Sequence, residues 1–203
     1  MTKESAKPTV ILICGYARAG KDTLARGIAQ NCKFGGVVHR NFADALKEST
    51  NMFFEELGLD VNFYDESFKI KHRDVLVSFG KAARSFCKDI FAMSFVEFVQ
   101  TCVTKNVYIN ELQYACSKMP PVICSDWRYA NEFNYVFNAL KDSHRIITVR
   151  VDTIGLLPAN DEEMTSLAEL LRECPLDYSF EFQPNSKDDI LGTGASLAES
   201  LGL

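Results

Sequence analysis

The sequence predicts an α/β fold in which helices cover both faces of a parallel sheet. Short apolar, β-branched runs alternate with helical periodicity, and the first such run ends in a glycine-rich turn that opens an amphipathic helix. At 203 residues and 47% hydrophobic content, the chain can bury one substantial core but is short for two full domains. We therefore expect a single domain, 1–203, with a core of 8–45 and 120–203 and a helical lobe of about 46–119.

The glycine-rich turn has the spacing of a phosphate-binding loop. It follows the buried run 10–14 and reads Gly15-x4-Gly20-Lys21. In such a loop the backbone N–H groups point at an anion, the helix N-terminus adds its dipole, and the lysine would bridge the β- and γ-phosphates of a nucleotide. A chance glycine-rich turn is the alternative. The candidate nucleotide-binding residues here are Gly15, Arg18, Ala19, Gly20, Lys21, Asp22 and Thr23.

One position departs from the usual loop. Most such loops place Ser or Thr directly after the lysine as a Mg²⁺ ligand, whereas this chain has Asp22 there and a hydroxyl one residue later, at Thr23. The order Lys-x-Thr resembles small-molecule kinases that phosphorylate nucleoside monophosphates more than GTPases or motor ATPases. Asp22 is therefore one of two candidate metal-binding residues.

The next elements follow from periodicity and from glycine positions. The loop helix is predicted at 21–30, and Gly35-Gly36 separates it from a strand at 37–42. Residues 42–58 predict a helix that ends at Gly58. A loop with short helical pieces is expected at 60–71, followed by helices at 73–91 and 94–118. The expected apolar face of the 42–58 helix comprises Leu46, Met52, Phe53 and Leu57.

Pro120-Pro121 interrupts the helical pattern, and strands then alternate with helices again. Strands are predicted at 122–126, 145–151 and 180–183. Helices are predicted at 131–140, at 161–172 with Asp161 as its N-cap, and from about 195. This alternation predicts the parallel sheet, with ligands bound at the carboxyl ends of its strands.

Polar residues gather at those carboxyl ends. Asp126, past the third predicted strand, is the second candidate for holding Mg²⁺ or its waters, although it could instead cap the following helix. Arg128 either reaches toward phosphate or is an ordinary surface arginine. After the second strand, Asp44 and Lys47 either contact an acceptor or are solvated helix residues.

Two arginines share one face of the predicted 73–91 helix. Arg73 and Arg84 are eleven residues apart, almost three whole turns, and Gly80 leaves the stripe between them shallow. Their α-carbons would lie roughly 16 Å apart, so they would hold different ends of a substrate unless Gly80 breaks the helix. The alternative is a pair of surface arginines that extend into solvent.

Composition narrows the classes of function. The net charge of −5 argues against a general nucleic-acid-binding surface, and no apolar run approaches the ~20 residues that span a bilayer. The seven cysteines form no C-x-x-C pair and have no histidine at ligand spacing, so we expect reduced thiols rather than a metal site. With no apolar signal at the N-terminus, a cytoplasmic protein is expected.

Six segments together carry a resemblance: GYARAGKDT, FADALKE, RDVLVSFGKAAR, SDWRYANE, ITVRV and FEFQPN. In this order they resemble the deoxynucleoside monophosphate kinases of bacteriophages, and the match is spread over most of the chain. The resemblance implies a P-loop NTPase-type three-layer α/β/α fold with a five-stranded parallel sheet, the loop strand at its centre and a helical acceptor-binding lobe. It also implies a host-cytoplasm location, ATP and Mg²⁺ as cofactors and small nucleotides as substrates, while the oligomeric state, including a homodimer, stays open.

The resemblance also implies roles by position. Lys21 and Thr23 would bind the donor phosphates, and Asn185 would lie near the donor base. Residues implied around the acceptor phosphate and transfer path are Asp44, Lys47, Arg73, Gly80, Arg84, Arg128 and Glu132. Arg150 and Arg172 are left to play the part of a lid, because the segment after the fourth strand lacks arginine, and Arg150 is counted with Lys21, Arg84 and Arg128 as catalytic.

The departures from the family pattern are Ala45, Ser78 and Lys81, which stand where proline, glutamine and threonine are expected. They affect the details of acceptor recognition. Animal-type phosphomevalonate kinases and dephospho-coenzyme A kinases have a similar arrangement and differ in the acceptor. A nucleotide-dependent switch protein is the rival from another class, but the chain has no Asn-Lys-x-Asp segment that would read guanine.

Overall fold

The computed structural model describes residues 7–34, 36–105 and 119–203. Five strands form one sheet in the order β2-β3-β1-β4-β5, and every neighbouring pair is parallel. The predicted α/β class, the five-stranded parallel sheet and the central place of the loop strand β1 are therefore confirmed. The strands are β1 Thr9–Cys14, β2 Val38–His39, β3 Val122–Cys124, β4 Arg145–Thr153 and β5 Tyr178–Phe182.

Helices connect these strands and cover both faces of the sheet. Alternate residues of β1 point to opposite faces, so Leu12 joins the apolar core beneath α5 and α6, while Ile13 joins the core beneath α1 and α8. Both side chains are fully buried. The helices are α1 Lys21–Gln30, α2 Phe42–Glu56, α3 Glu66–Lys71, α4 Arg73–Phe86, α5 Ile90–Lys105, α6 Ala130–Leu140, α7 Asp161–Glu173 and α8 Lys187–Leu201.

The last helix begins eight residues before its predicted start. Two glycines that look like helix breakers in the sequence instead let α8 pack against α1. A Cβ on Gly194 would lie 2.6 Å from the carbonyl oxygen of Leu24, and one on Gly27 would lie 2.4 Å from that of Leu191. The glycines thus serve a close helix contact, which local propensity does not reveal.

Other boundaries also differ from prediction. The helix predicted at 73–91 ends at Phe86, and α5 begins at Ile90 rather than at 94. Residues 106–118 of the helix predicted at 94–118 lie outside the described part of the chain. Asn160, not Asp161, caps α7, because its side chain accepts a hydrogen bond from the N–H of Glu163 at 2.9 Å.

The apolar face predicted for α2 is wrong at three of four positions. Met52, Phe53 and Leu57 are 61%, 46% and 62% exposed, whereas Leu46 packs against the core. The buried positions of α2 include the polar Asp44 and Thr50. The hydroxyl of Thr50 can be buried because it donates to the carbonyl oxygen of Leu46 at 2.7 Å.

Among the described residues, none of the helices combines the length and the apolar content needed to cross a membrane. The division into a core and a helical lobe remains a prediction.

Candidate functional site

The phosphate loop joins β1 to α1 and owes its shape to left-handed backbone positions. Gly15 has φ 141°, and a Cβ there would lie 2.1 Å from the carbonyl oxygen of Val151 on β4, so only glycine fits. Gly20, at the N-cap of α1, has φ 94°. Arg18 has φ 67°, which is uncommon for a residue with a side chain and often marks a functional turn.

Lys21 folds back over this loop. Its Nζ donates to the carbonyl oxygens of Gly15 at 2.8 Å and Tyr16 at 2.7 Å. Burial lowers the pKa of Lys21 below its ordinary 10.5, and the positive charge of Arg128 lowers it further. The two cations therefore lie near each other at the carboxyl end of the sheet, which is an arrangement suited to phosphate.

A carboxylate that sequence reasoning missed lies against the loop. Glu163, in the first turn of α7, accepts from the N–H of Ala17 at 2.9 Å and from that of Ala159 at 2.7 Å. Its negative charge partly offsets the lowering of the Lys21 pKa by burial and Arg128. Glu163 thus accepts a hydrogen bond from a loop N–H group that could otherwise donate to a bound anion. No local pattern indicated this contact, because 146 residues separate Glu163 from Ala17.

We expect Glu163→Gln to bind inorganic pyrophosphate about 3- to 10-fold more tightly than the unchanged protein, because one negative charge beside Lys21 is removed. The glutamine keeps one oxygen for the N–H of Ala17, so the loop contact should be retained, whereas the hydrogen bond from the N–H of Ala159 is lost. Titration calorimetry would measure the affinity. Glu162→Gln is the matched control, since Glu162 accepts instead from the hydroxyl of Tyr129. Equal or weaker binding by Glu163→Gln would contradict this expectation.

The two candidate metal-binding residues differ in their surroundings. Both carboxylate oxygens of Asp126 accept hydrogen bonds at the N-terminus of α2, from the N–H of Phe42 at 2.8 Å and from the N–H of Ala43 at 2.9 Å. It therefore ties the end of β3 to α2 rather than to the helix that follows it. Its proposed role toward Mg²⁺ stays a prediction.

Asp22, in the first turn of α1, is exposed beside the loop. Its Oδ1 accepts from the hydroxyl of Ser125 at 2.6 Å, and its Oδ2 has no hydrogen-bond partner among the described residues. A carboxylate oxygen left free next to Lys21 fits a hard cation that is shared with nucleotide phosphates. Asp22 is consequently the better placed of the two carboxylates. Within 7–34, 36–105 and 119–203, the side chain of Thr23 makes no hydrogen bond. No cluster of three or more His, Cys, Asp or Glu residues suited to a metal occurs in these ranges.

Arg84, in the last turn of α4, lies over two aromatic rings. Its Cζ lies 4.7 Å from the ring centre of Phe91 on α5 and 4.9 Å from that of Tyr129, which precedes α6. Gly80 faces the guanidinium, since a Cβ there would lie 3.4 Å from Nη1. The two rings therefore hold a cation in position.

Glu132 lies beneath this arginine. It is 4% exposed, accepts from the N–H groups of Arg128 and Tyr129 at 3.1 Å each, and lies 4.0 Å from Nη2 of Arg84. Burial, helped by the negative charge of Asp126, raises the pKa of Glu132 from 4.5 to about 7. Its protonation therefore changes near neutral pH.

We expect the free energy of unfolding of Glu132→Gln to exceed that of the unchanged protein by an amount that grows with pH. Between pH 4.5 and about 7 the unfolded chain loses this proton first, so ionisation destabilises the folded state as pH rises. The difference should grow by about 3 kcal/mol between pH 4 and pH 8. Urea denaturation at a series of pH values would measure it. A constant difference would mean that Glu132 titrates normally.

The other predicted residues lie nearby or at the edges of the site. Lys47 bonds the carboxylate of Asp44 at 3.0 Å and lies 5.1 Å from the ring centre of Tyr64. Arg150 pairs with Asp152, and its Nε is buried without a hydrogen-bond partner among the described residues.

Three further predicted positions lie on the surface. Arg73 is exposed at the start of α4, and the helix runs unbroken through Gly80, so its distance from Arg84 is as expected. Asn185 is exposed after β5 with φ 64°. Arg172, on α7, is exposed and pairs with Glu173 at 2.8 Å. Charge interactions link Lys21 with Asp22 and Arg128, and Arg84 with Glu132, whereas Arg73, Asn185 and Arg172 lie on the surface.

Comparison with known proteins gives only distant similarity. No protein-family model matches the chain, and no curated protein matches it significantly. A sugar kinase from Janibacter sp. HTCC2649 has a similar structure, with a TM-score of 0.44 and 12% identity over 95% of each chain. A gluconokinase from Sinorhizobium meliloti 1021 has a TM-score of 0.41 and 13% identity over 97% of each chain.

Proposed function

We propose that this protein is an ATP-dependent kinase that converts deoxynucleoside monophosphates to diphosphates and so supplies DNA precursors. One observation carries the proposal: the phosphate loop with Lys21 and a second group of cations, Arg84 and Arg128, occur at the same end of the sheet. One cation group suits the phosphates of a donor and the other suits an acceptor that already bears a phosphate.

The chemistry follows from charge. An acceptor monophosphate is largely dianionic near neutral pH, since its second pKa is about 6, so no strong general base is needed. The main obstacle is repulsion between two polyanions, which Lys21, Arg84 and Arg128 would reduce while they orient the phosphates in line. Mg²⁺, when bound, would neutralise charge on the donor's terminal phosphates. Asp22 is the residue best placed to hold it.

The choice of a deoxynucleoside monophosphate as acceptor rests on the family resemblance. The segment SDWRYANE contributes Asp126, and FADALKE contributes the N-terminus of α2 that Asp126 binds. The segment RDVLVSFGKAAR contributes Arg84 and the facing Gly80. These segments, far apart in the chain, contact one another: Tyr129 of SDWRYANE lies against Arg84, and Leu46 of FADALKE faces Gly80. Such convergence supports a shared function for them.

A coupled ATP-consumption assay with Mg²⁺ tests the proposal. The acceptors are the four deoxynucleoside monophosphates, their ribose forms, phosphomevalonate, dephospho-coenzyme A and gluconate. ADP release that requires a deoxynucleoside monophosphate would support the proposal and define which bases are accepted. Release with a non-nucleotide acceptor alone would transfer the assignment to another kinase, and slow release indifferent to every acceptor would favour a nucleotide-binding switch.

A further inference from the structure

Three polar side chains converge at the carboxyl ends of β2 and β3 beside the phosphate loop. Ser125 follows β3 directly and is 2% exposed. Its hydroxyl lies 2.6 Å from Oδ1 of Asp22 and 3.2 Å from Nε2 of His39 at the end of β2. These residues come from three separate elements, and 103 residues separate Ser125 from Asp22.

The direction of these hydrogen bonds follows from the number of protons. An ionised carboxylate only accepts, so the single hydroxyl proton of Ser125 goes to Asp22, and 2.6 Å is typical of a charge-assisted O–H···O⁻ bond. The hydroxyl oxygen can then accept from Nε2 of His39 in the tautomer that carries its proton there, while Oδ1 of Asn41, 3.3 Å from the hydroxyl, is a more distant acceptor than Asp22. Hydrogen bonds thus run from His39 through Ser125 to Asp22.

The backbone of Ser125 is held as well. Its N–H donates to Oδ1 of Asn41, the N-cap of α2, at 2.9 Å. The hydroxyl oxygen of Ser125 therefore has a defined position, and it fixes one oxygen of an otherwise exposed carboxylate. The other oxygen of Asp22 has no hydrogen-bond partner among the described residues.

We propose that Ser125 and His39 are positioning residues that hold Asp22 in the orientation needed to bind the metal of a metal–nucleotide donor. This deepens the proposed function, because it assumes a divalent cation at the phosphate loop. Partners of metal-binding carboxylates commonly change metal affinity by about 10-fold or more when they are removed. The hydroxyl that most phosphate loops place after the lysine is missing here, so the orientation of Asp22 carries more of the metal site.

Metal binding by the protein–ATP complex, measured by electron paramagnetic resonance of Mn²⁺ without any acceptor, tests the proposal. Ser125→Ala should weaken Mn²⁺ binding about 10-fold, while the affinity for ATP without metal should change less than about twofold. Ser125→Thr keeps the hydroxyl and should restore much of the loss. Ser200→Ala, at the far end of α8, is the control and should bind Mn²⁺ normally.

His39 provides a second pair of variants at an exposed position, where folding is less at risk. His39→Gln keeps an N–H near the place of Nε2 and should bind Mn²⁺ normally, whereas His39→Leu should weaken binding about threefold. Unchanged Mn²⁺ binding by Ser125→Ala and His39→Leu would overturn the proposal. An equal loss of metal-free ATP binding would also overturn it, since that would make Ser125 a packing residue. Because no acceptor is present, either result is independent of whether the protein phosphorylates deoxynucleoside monophosphates.

Discussion

Lys21→Ala should reduce ATP-dependent phosphotransfer by about 10³-fold or more while the protein remains folded. The ammonium of Lys21 already lies over the phosphate loop, fixed by the carbonyl oxygens of Gly15 and Tyr16. A donor phosphate would replace these neutral acceptors with charged oxygens, and the interaction should strengthen as charge develops in the transition state. Loss of Lys21 should therefore lower kcat more than it weakens ATP binding.

The free energy of unfolding of Lys21→Ala should change little. The substitution removes two hydrogen bonds, but it also removes a positive charge that burial and the nearby Arg128 disfavour. The coupled assay would measure turnover, and thermal denaturation would report folding. Lys33→Ala removes an exposed lysine beyond the opposite end of α1 and should behave normally. Substantial turnover by a folded Lys21→Ala protein would refute the role of Lys21 at the donor phosphates.

The phosphate loop and the sheet could be predicted because their signals are local. The β-branched run before Gly15 has the composition of a buried strand, and the glycine spacing that follows is set by the backbone geometry around an anion. The strands β1 and β3 are short, mostly apolar and fully buried, so their existence is readable even where their ends are not. The strand predicted at 37–42 contracts to Val38–His39, because Phe42 begins α2 and Asn41 caps it.

The partners within the site could not be predicted, because they are distant in sequence. Asp126 could be read as metal-binding or as a cap for the next helix, yet its oxygens bind backbone N–H groups 84 and 83 residues earlier in the chain. The sequence marks Ser125 only as a polar residue that follows a strand. The contact of Glu163 with the loop depends on the path from β4 to α7, for which periodicity carries no information.

The glycines of α1 and α8 show a related limit. Gly194 looks like a helix breaker because glycine lowers the local stability of a helix. The close packing that it permits involves Gly27 of another helix, 167 positions earlier in the chain. Tertiary packing decides such a case. Tertiary packing also decides the position of Met52 and Phe53. Their apolar character suggests a buried face, but both are exposed, and the buried face of α2 is partly polar.

Arg84→Ala should lower kcat with a deoxynucleoside monophosphate by about 10³-fold and leave ATP affinity nearly unchanged. The guanidinium already lies over the rings of Phe91 and Tyr129, so little conformational entropy would be lost when it binds a phosphate. Arg84→Lys keeps a positive charge but cannot form the same stack, and we expect it to recover only a small part of the activity. Lys88→Ala, which removes an exposed cation just beyond the end of the same helix, is the control.

A second measurement separates a catalytic role of Arg84 from a structural one. The positive charge of Arg84 lowers the pKa of Glu132, which burial raises to about 7. In Arg84→Ala this pKa should rise further, so the loss of stability with increasing pH should extend to higher pH than in the unchanged protein. If that shift appears and activity survives, Arg84 only balances the charge of Glu132. If both the shift and the loss of activity appear with ATP binding intact, Arg84 acts on the acceptor phosphate.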